Sequence, residues 1–146
     1  MLNRKEKTRD LFKEGFSCSQ AVLAAFSEEF RLPAETALRI GQGFGGGIAR
    51  TADICGAVTG GIMVIGLKYG RTRADDEAAR EKTYSLVREL LRRFRARHGA
   101  LACKDLLGCD IGTPEGLKIS NEGKLHEHLC PRLLDSAVEI LEDDLI

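Results

Sequence analysis

Five cysteines, Cys18, Cys55, Cys103, Cys109 and Cys130, are the side chains of this sequence with the widest reach of chemistry. A thiolate is a nucleophile, a metal ligand and half of a redox couple. Their separations of 37, 48, 6 and 21 residues contain no Cys-x-x-Cys. A zinc ribbon, a ferredoxin-type run and the Cys-x-x-Cys-His of attached haem are thereby excluded, and no haem is expected. Any site these thiols make must be assembled by the fold.

Cys18, Cys55, Cys103 and Cys130 each fall in the expected cap or first turn of a different helix. Four helix N-termini meeting at one place would give an electropositive pocket suited to thiolates, a cluster or an anion. Cys55 is the sharpest case. Asp53 is a good N-cap for a helix starting at Ile54, which puts Cys55 in the first turn. Unpaired N–H groups and the positive dipole end favour the thiolate there, so Cys55 is expected to be the most acidic thiol, below the free value of about 8.5. Cys55 lies within Gly41 to Gly61, a stretch holding eight of the sixteen glycines.

The elements that must position these residues read as helices throughout. Residues 3–14 form a short helix ended by Gly15. Ser17 and Gln20 make a capping box for a helix with its stripe at Ala21, Val22, Ala25, Phe26 and Phe30, and Cys18 shares that face. Pro33 suits the first turn of a helix running to about Ile40. The apolar segment from Ile54 to Tyr69, closed by Gly70, is the expected central helix. Gly56 and Gly60 leave one of its faces bare for another helix or a bound group. Thr72 is expected to cap a helix reaching about Arg97, with Thr83, Val87, Leu90, Leu91 and Phe94 opposite an arginine-rich face. A short helix over about Ala100 to Leu107 is expected to carry Cys103 in its first turn and to stop at Gly108. Residues 108–128 read as a polar loop with a turn of helix after Thr113-Pro114. The last helix is expected to start at Cys130-Pro131 and to bury Leu133, Leu134, Ala137, Val138 and Leu141. With no strand, repeat or linker, residues 1–146 read as all-α: a compact single-domain bundle of five to seven helices, with a Gly-rich loop before a central apolar helix.

Composition narrows the function. Twenty-two residues of each sign give a net charge of zero, so no nucleic acid or anionic membrane is expected as partner. Aromatic residues are 5% and Trp is absent, which argues against base-stacking platforms. The longest apolar run, Ile54 to Leu67, is 14 residues and too short to span a bilayer. No apolar stretch follows the N-terminal charges, so a cytoplasmic location is expected. Thiols stay reduced there, which favours metal or redox use over a disulfide framework.

Ser17-Cys18-Ser-Gln-Ala-Val, Gly43-Phe-Gly-Gly-Gly-Ile, Ile54-Cys55-Gly-Ala-Val-Thr-Gly-Gly-Ile-Met, Cys103-Lys-Asp-Leu-Leu-Gly and Cys130-Pro together resemble the redox-active proteins named for their C…GCAxxG…C…C pattern. The resemblance covers nearly the whole chain and extends to the non-haem part of split-Soret cytochromes. It implies redox chemistry at Cys18, Cys55, Cys103 and Cys130, with Gly56, Ala57 and Gly60 around the second. The family label puts Gly before the Cys, whereas this chain reads Cys55-Gly56-Ala57. Cys109 is extra to the pattern.

Three readings remain at this point. The first is electron transfer or thiol redox, either through an iron–sulfur cluster held by three or four of the named cysteines or through a dithiol. The second is a structural or regulatory zinc site in which His126 and His128 join Cys130. The third is a helical interaction protein with inert buried cysteines. A redox partner protein would dock on the arginine-rich helix, and a homodimer is expected from the Gly-rich apolar helix and the resemblance. Whether the chain is an enzyme stays open, with an electron-transfer role favoured over a substrate-specific one. Gly41-Gln-Gly43-Phe-Gly45-Gly46 matches a dinucleotide fingerprint by letter, but no strand precedes it. Asp75/Asp76 and Asp143/Asp144 sit on solvated helix ends, so no hydrolytic pair is formed.

Overall fold

The computed structural model describes residues 3–146. Among them are eight α-helices: α1 (Arg4–Lys13), α2 (Cys18–Ser27), α3 (Ala34–Gln42), α4 (Gly56–Tyr69), α5 (Glu77–His98), α6 (Cys103–Leu107), α7 (Pro114–Gly123) and α8 (Leu125–Ile140). The fold is all-α. The number of helices exceeds the expected five to seven because the stretch read as loop after Gly108 contains a full helix, α7. Thr113 caps it by accepting from the Gly116 N–H at 3.0 Å, and Pro114 fills its first position.

Helix α2 is the enclosed element. Nine of its ten residues, Ser19 to Ser27, are buried, where a one-sided stripe was expected. The Ser17–Gln20 capping box is present, as read. Burial on all sides is tolerated because its residues are apolar or have their polar groups hydrogen-bonded inside the fold. Ser19 Oγ–H donates to the Gly41 carbonyl at 2.8 Å, and Gln20 Nε2–H to the Leu38 carbonyl at 2.9 Å. Helices α1, α3, α4 and α8 all pack on α2.

Four helix starts differ from expectation, among them α6, which begins at Cys103 rather than about Ala100. Helix α4 begins at Gly56 with Cys55 as N-cap, while Asp53 turns its carboxylate to the Ile54 N–H at 2.9 Å. The extended Ile54 pairs with Ala102 in an isolated antiparallel bridge. Helix α5 is capped by Asp76, not Thr72, with Asp76 Oδ1 accepting from the Ala79 N–H at 3.1 Å. Helix α8 begins at Leu125, so Pro131 lies inside it rather than at its first position. Lys124, left-handed at φ 50°, is the one residue between α7 and α8. As the seventh residue of α8, Pro131 forfeits one backbone hydrogen bond and sets its ring against the carbonyl four residues back, a cost of roughly 3 kcal/mol that flanking packing must offset.

Before α4 the chain makes a left-handed turn. Gly46, Gly47, Ile48, Ala49 and Arg50 have φ of 66°, 69°, 66°, 50° and 61° in succession. Each non-glycine residue in that region costs roughly 1–2 kcal/mol. The turn is held by backbone bonds from Arg50 N–H to Gly45, Ala52 N–H to Gly46 and Asp53 N–H to Gly47, at 3.0, 3.1 and 2.8 Å. A side chain at Gly47 would strike Asp53 and the Cys103 Cβ, within 2.8 Å.

The arginines of α5 are largely engaged within the chain. Arg92 and Arg93 pair with Glu89, Arg93 also with Asp143, and Arg97 with Glu139. Among the described residues no helix is long and apolar enough to cross a membrane.

Candidate functional site

Four of the five cysteines line one cavity of about 1150 Å3. Cys18 is the first residue of α2 and half-buried. Cys55, capping α4, is 5% exposed. Cys103 opens α6, and Cys130 lies in α8 just before Pro131; both are buried. The bridge at Ile54 explains one side of this convergence. Cys55 N–H donates to the Leu101 carbonyl at 2.8 Å and Cys103 N–H to the Asp53 carbonyl at 2.6 Å, locking the starts of α4 and α6 together. The crossing of α4 on α2 brings in Cys18, and α8 brings in Cys130.

Three thiols therefore sit at helix starts and the fourth does not. Cys130 is the sixth residue of α8, so four N-termini do not converge. Gly56 lines the cavity beside Cys55. Ala57 is fully buried in the core, and Gly60 takes Val22 of α2 against its bare face. Cys109 stays outside the lining, half-buried and packed on the small apolar cluster that contains Cys103 and Cys130.

The electrostatics reverse one expectation. Burial pushes the Cys55 thiol up to about 12, against the opposing pull of the Ala57 and Val58 N–H groups. A helix N-terminus contributes about 0.3–1 kcal/mol, under one pKa unit, whereas full burial shifts a group by up to about 3–5 units. Desolvation wins, and Cys55 is not the acidic thiol. Cys103 is raised to about 11, by burial first and then by the charges of Cys130, Cys109 and Asp110. Cys18 and Cys130 both border this cavity and their thiols interact across it. That interaction holds the Cys130 thiol below its ordinary value and, together with burial, drives Cys18 well above it. Of the two, Cys130 is the more easily deprotonated.

The histidine reading is corrected by the same geometry. His126 and His128 are in α8, two residues apart, and so project about 200° from each other rather than toward one point. Among the described residues, no three His, Cys, Asp or Glu side chains converge as a single metal ion requires. His126 alone reaches the cavity, with its Nδ1 3.3 Å from Ser120 Oγ. Lys13 and Arg50 also line it, and neither was singled out from the sequence. The signal for Arg50 was hidden, because three of the five left-handed residues that present it are not glycine.

Thiols from three helix starts and from the body of α8 thus border one cavity. Residues 16–143 match the family described as "Putative redox-active protein (C_GCAxxG_C_C)", and the chain belongs to that family. No curated protein and no solved structure matches it.

Proposed function

We propose that the chain is a thiol redox protein in which Cys18 and Cys130 are the electron-carrying pair. The observation that carries this reading is that both thiols border one cavity and interact there, Cys130 being the more easily deprotonated of the two. Oxidation joins the two sulfurs in a disulfide and releases two electrons, one proton from Cys18, and a second from any Cys130 still protonated. Reduction reverses each step. Cys130 is the nucleophile of the pair because a thiolate attacks and a thiol does not. The test is a free-thiol count with peptide mapping after mild oxidation. A fall from five thiols to three with a Cys18–Cys130 crosslink is expected. Retention of all five, or a crosslink elsewhere, overturns the reading.

A second reading rests on a different observation: all four thiols border one cavity, more than a dithiol uses. They do not converge as a single ion requires, and the metal form left to them is a multi-metal iron–sulfur cluster held by Cys18, Cys55, Cys103 and Cys130. The raised thiols would lose their protons on ligation. Such a cluster would supply one-electron transfer. Iron and acid-labile sulfide in near-equal amounts after anaerobic purification would establish it, and their absence would leave the dithiol.

A further inference from the structure

The cavity has more room and more charge than two sulfurs need. Its volume of about 1150 Å3 stands at the upper end of small-molecule sites, which run to roughly 1,000 Å3. Much of its wall is apolar, from Phe12, Phe16, Leu106, Leu117 and Leu133. Three fully charged side chains reach it: Lys13 from the end of α1, Arg50 from the left-handed turn, and Glu127 from α8. Among the described residues neither Lys13 nor Arg50 makes an ion pair, while most other arginines of the chain do.

Arg50 stands out in how it is held. It ends a run of five left-handed residues, of which Ile48, Ala49 and Arg50 bear side chains that disfavour that conformation. Strain of this kind persists where surrounding bonds over-determine it, and it clusters at ligand sites. Its result here is a guanidinium on a thiol-lined cavity that makes no ion pair, although Glu127 also lines that cavity and leaves the three charged side chains at a net charge of plus one. Close by, burial and then the Arg50 charge lower the pKa of His126.

We propose that this cavity binds an anionic low-molecular-weight disulfide, a carboxylate-bearing one, as the oxidant of the Cys18–Cys130 pair, with Arg50 and Lys13 holding its carboxylates. This rests on the dithiol reading above. A thiolate repels an anionic substrate, and two unpaired cations on the same cavity offset that repulsion. The apolar wall accepts the carbon skeleton. Cys130 thiolate attacks one sulfur of the substrate, forming a mixed disulfide and expelling one substrate thiolate. Cys18, after losing its proton to that leaving thiolate or to solvent, attacks the Cys130 sulfur and expels the second. Two protein thiols become one disulfide, and one substrate disulfide becomes two thiols, so electrons balance.

The test compares two aromatic disulfides of similar size on the reduced full chain, in a Cys109→Ser background that removes the half-buried loop thiol. One is the dianionic 5,5′-dithiobis(2-nitrobenzoate) and the other the neutral 4,4′-dithiodipyridine. The readout is the ratio of their second-order rate constants, together with mapping of the Cys18–Cys130 crosslink. Arg50→Gln is expected to lower the anionic-to-neutral ratio about tenfold, in line with the effect of a charge lining a cleft. Lys13→Gln, at the exposed end of α1, is expected to lower it in the same direction without bearing on the fold of the turn. Arg50→Lys should restore much of it. A ratio unchanged in both neutralising variants, with the crosslink still formed, overturns the anion site and leaves the dithiol intact. Failure of both reagents to form the crosslink overturns the dithiol reading and the proposal with it.

Discussion

Gly56 and Ser19 stand so close where α4 meets α2 that a Cβ on Gly56 would lie 2.9 Å from the Ser19 nitrogen and 3.2 Å from the Cys18 Cβ. The spacing between the helix carrying Cys18 and the helix capped by Cys55 is thus set by a missing side chain. One turn on, a Cβ at Gly60 would meet the Val22 Cβ at 2.9 Å. Gly61 does the same on the other side, with the Leu90 Cδ2 at 2.9 Å. The glycines of α4 are contact surfaces on two fronts, toward α2 and toward α5.

Gly56→Ala and Gly60→Ala should therefore each destabilise the fold by about 1–3 kcal/mol, the cost of overpacking a filled contact. Gly66 is the control, since nothing lies within 4 Å of a Cβ built there. Gly66→Ala should stabilise α4 by roughly 0.5–1 kcal/mol through its effect on the helix backbone. Urea denaturation of the three variants checks this, and equal shifts of one sign in all three would contradict it.

A second prediction concerns the order in which the thiols react. Cys130 alone among the cavity thiols is held below its ordinary value, while Cys55 is pushed to about 12 and Cys103 to about 11. Alkylation followed by peptide mass spectrometry should label Cys130 first among those three as pH rises, with Cys55 and Cys103 labelled only in strong alkali. Cys18→Ala removes that interaction between the two thiols and should move the Cys130 midpoint upward. A Cys130 midpoint unmoved in that variant would remove the thiol pair as its cause.

Much of this site was legible in the residues, and the exceptions have physical reasons. The Ser17–Gln20 box fixed Cys18 at a helix start because a capping box is local chemistry. Gly99 and Gly108 end α5 and α6 in the left-handed conformation for the same reason. Cys130 misled because proline prefers a first turn, yet Lys124 takes the left-handed turn that starts α8 six residues earlier. The acidity of Cys55 misled because a helix start is visible in sequence and enclosure is not. Arg50 was invisible, since only the fold makes Ile48, Ala49 and Arg50 left-handed.

The left-handed turn gives a third prediction. Ile48 is β-branched, has φ 66° and is 38% exposed, so its side chain contributes little packing to offset its backbone strain. Ile48→Gly relieves roughly 1–2 kcal/mol of strain and gives back about 0.4–1 kcal/mol through a freer unfolded chain. A net gain of about 1 kcal/mol is expected in the urea midpoint. A loss of stability would mean that Ile48 supports the turn through its side chain.

The histidines give the last, a pH dependence with a definite sign. His98 lies 4.7 Å from the Phe94 ring, with Nε2 2.8 Å from Ser136 Oγ. Burial, then the charges of Arg132 and Arg97, lower its pKa, and burial followed by Arg50 lowers that of His126. Both groups are thus harder to protonate in the folded chain than in the unfolded one, where the value is about 6.5. Below that value the unfolded state binds more protons, so stability rises with pH. The contribution is fully present above the unfolded pKa and is lost as pH falls through the depressed folded values. The urea midpoint should therefore be lower at pH 5.5 than at pH 7.5, in a range above most carboxylate titration. In a His98→Gln, His126→Gln double variant the difference between the two pH values should shrink, whatever the variant's absolute stability. An undiminished difference would assign the pH dependence to groups other than these two imidazoles.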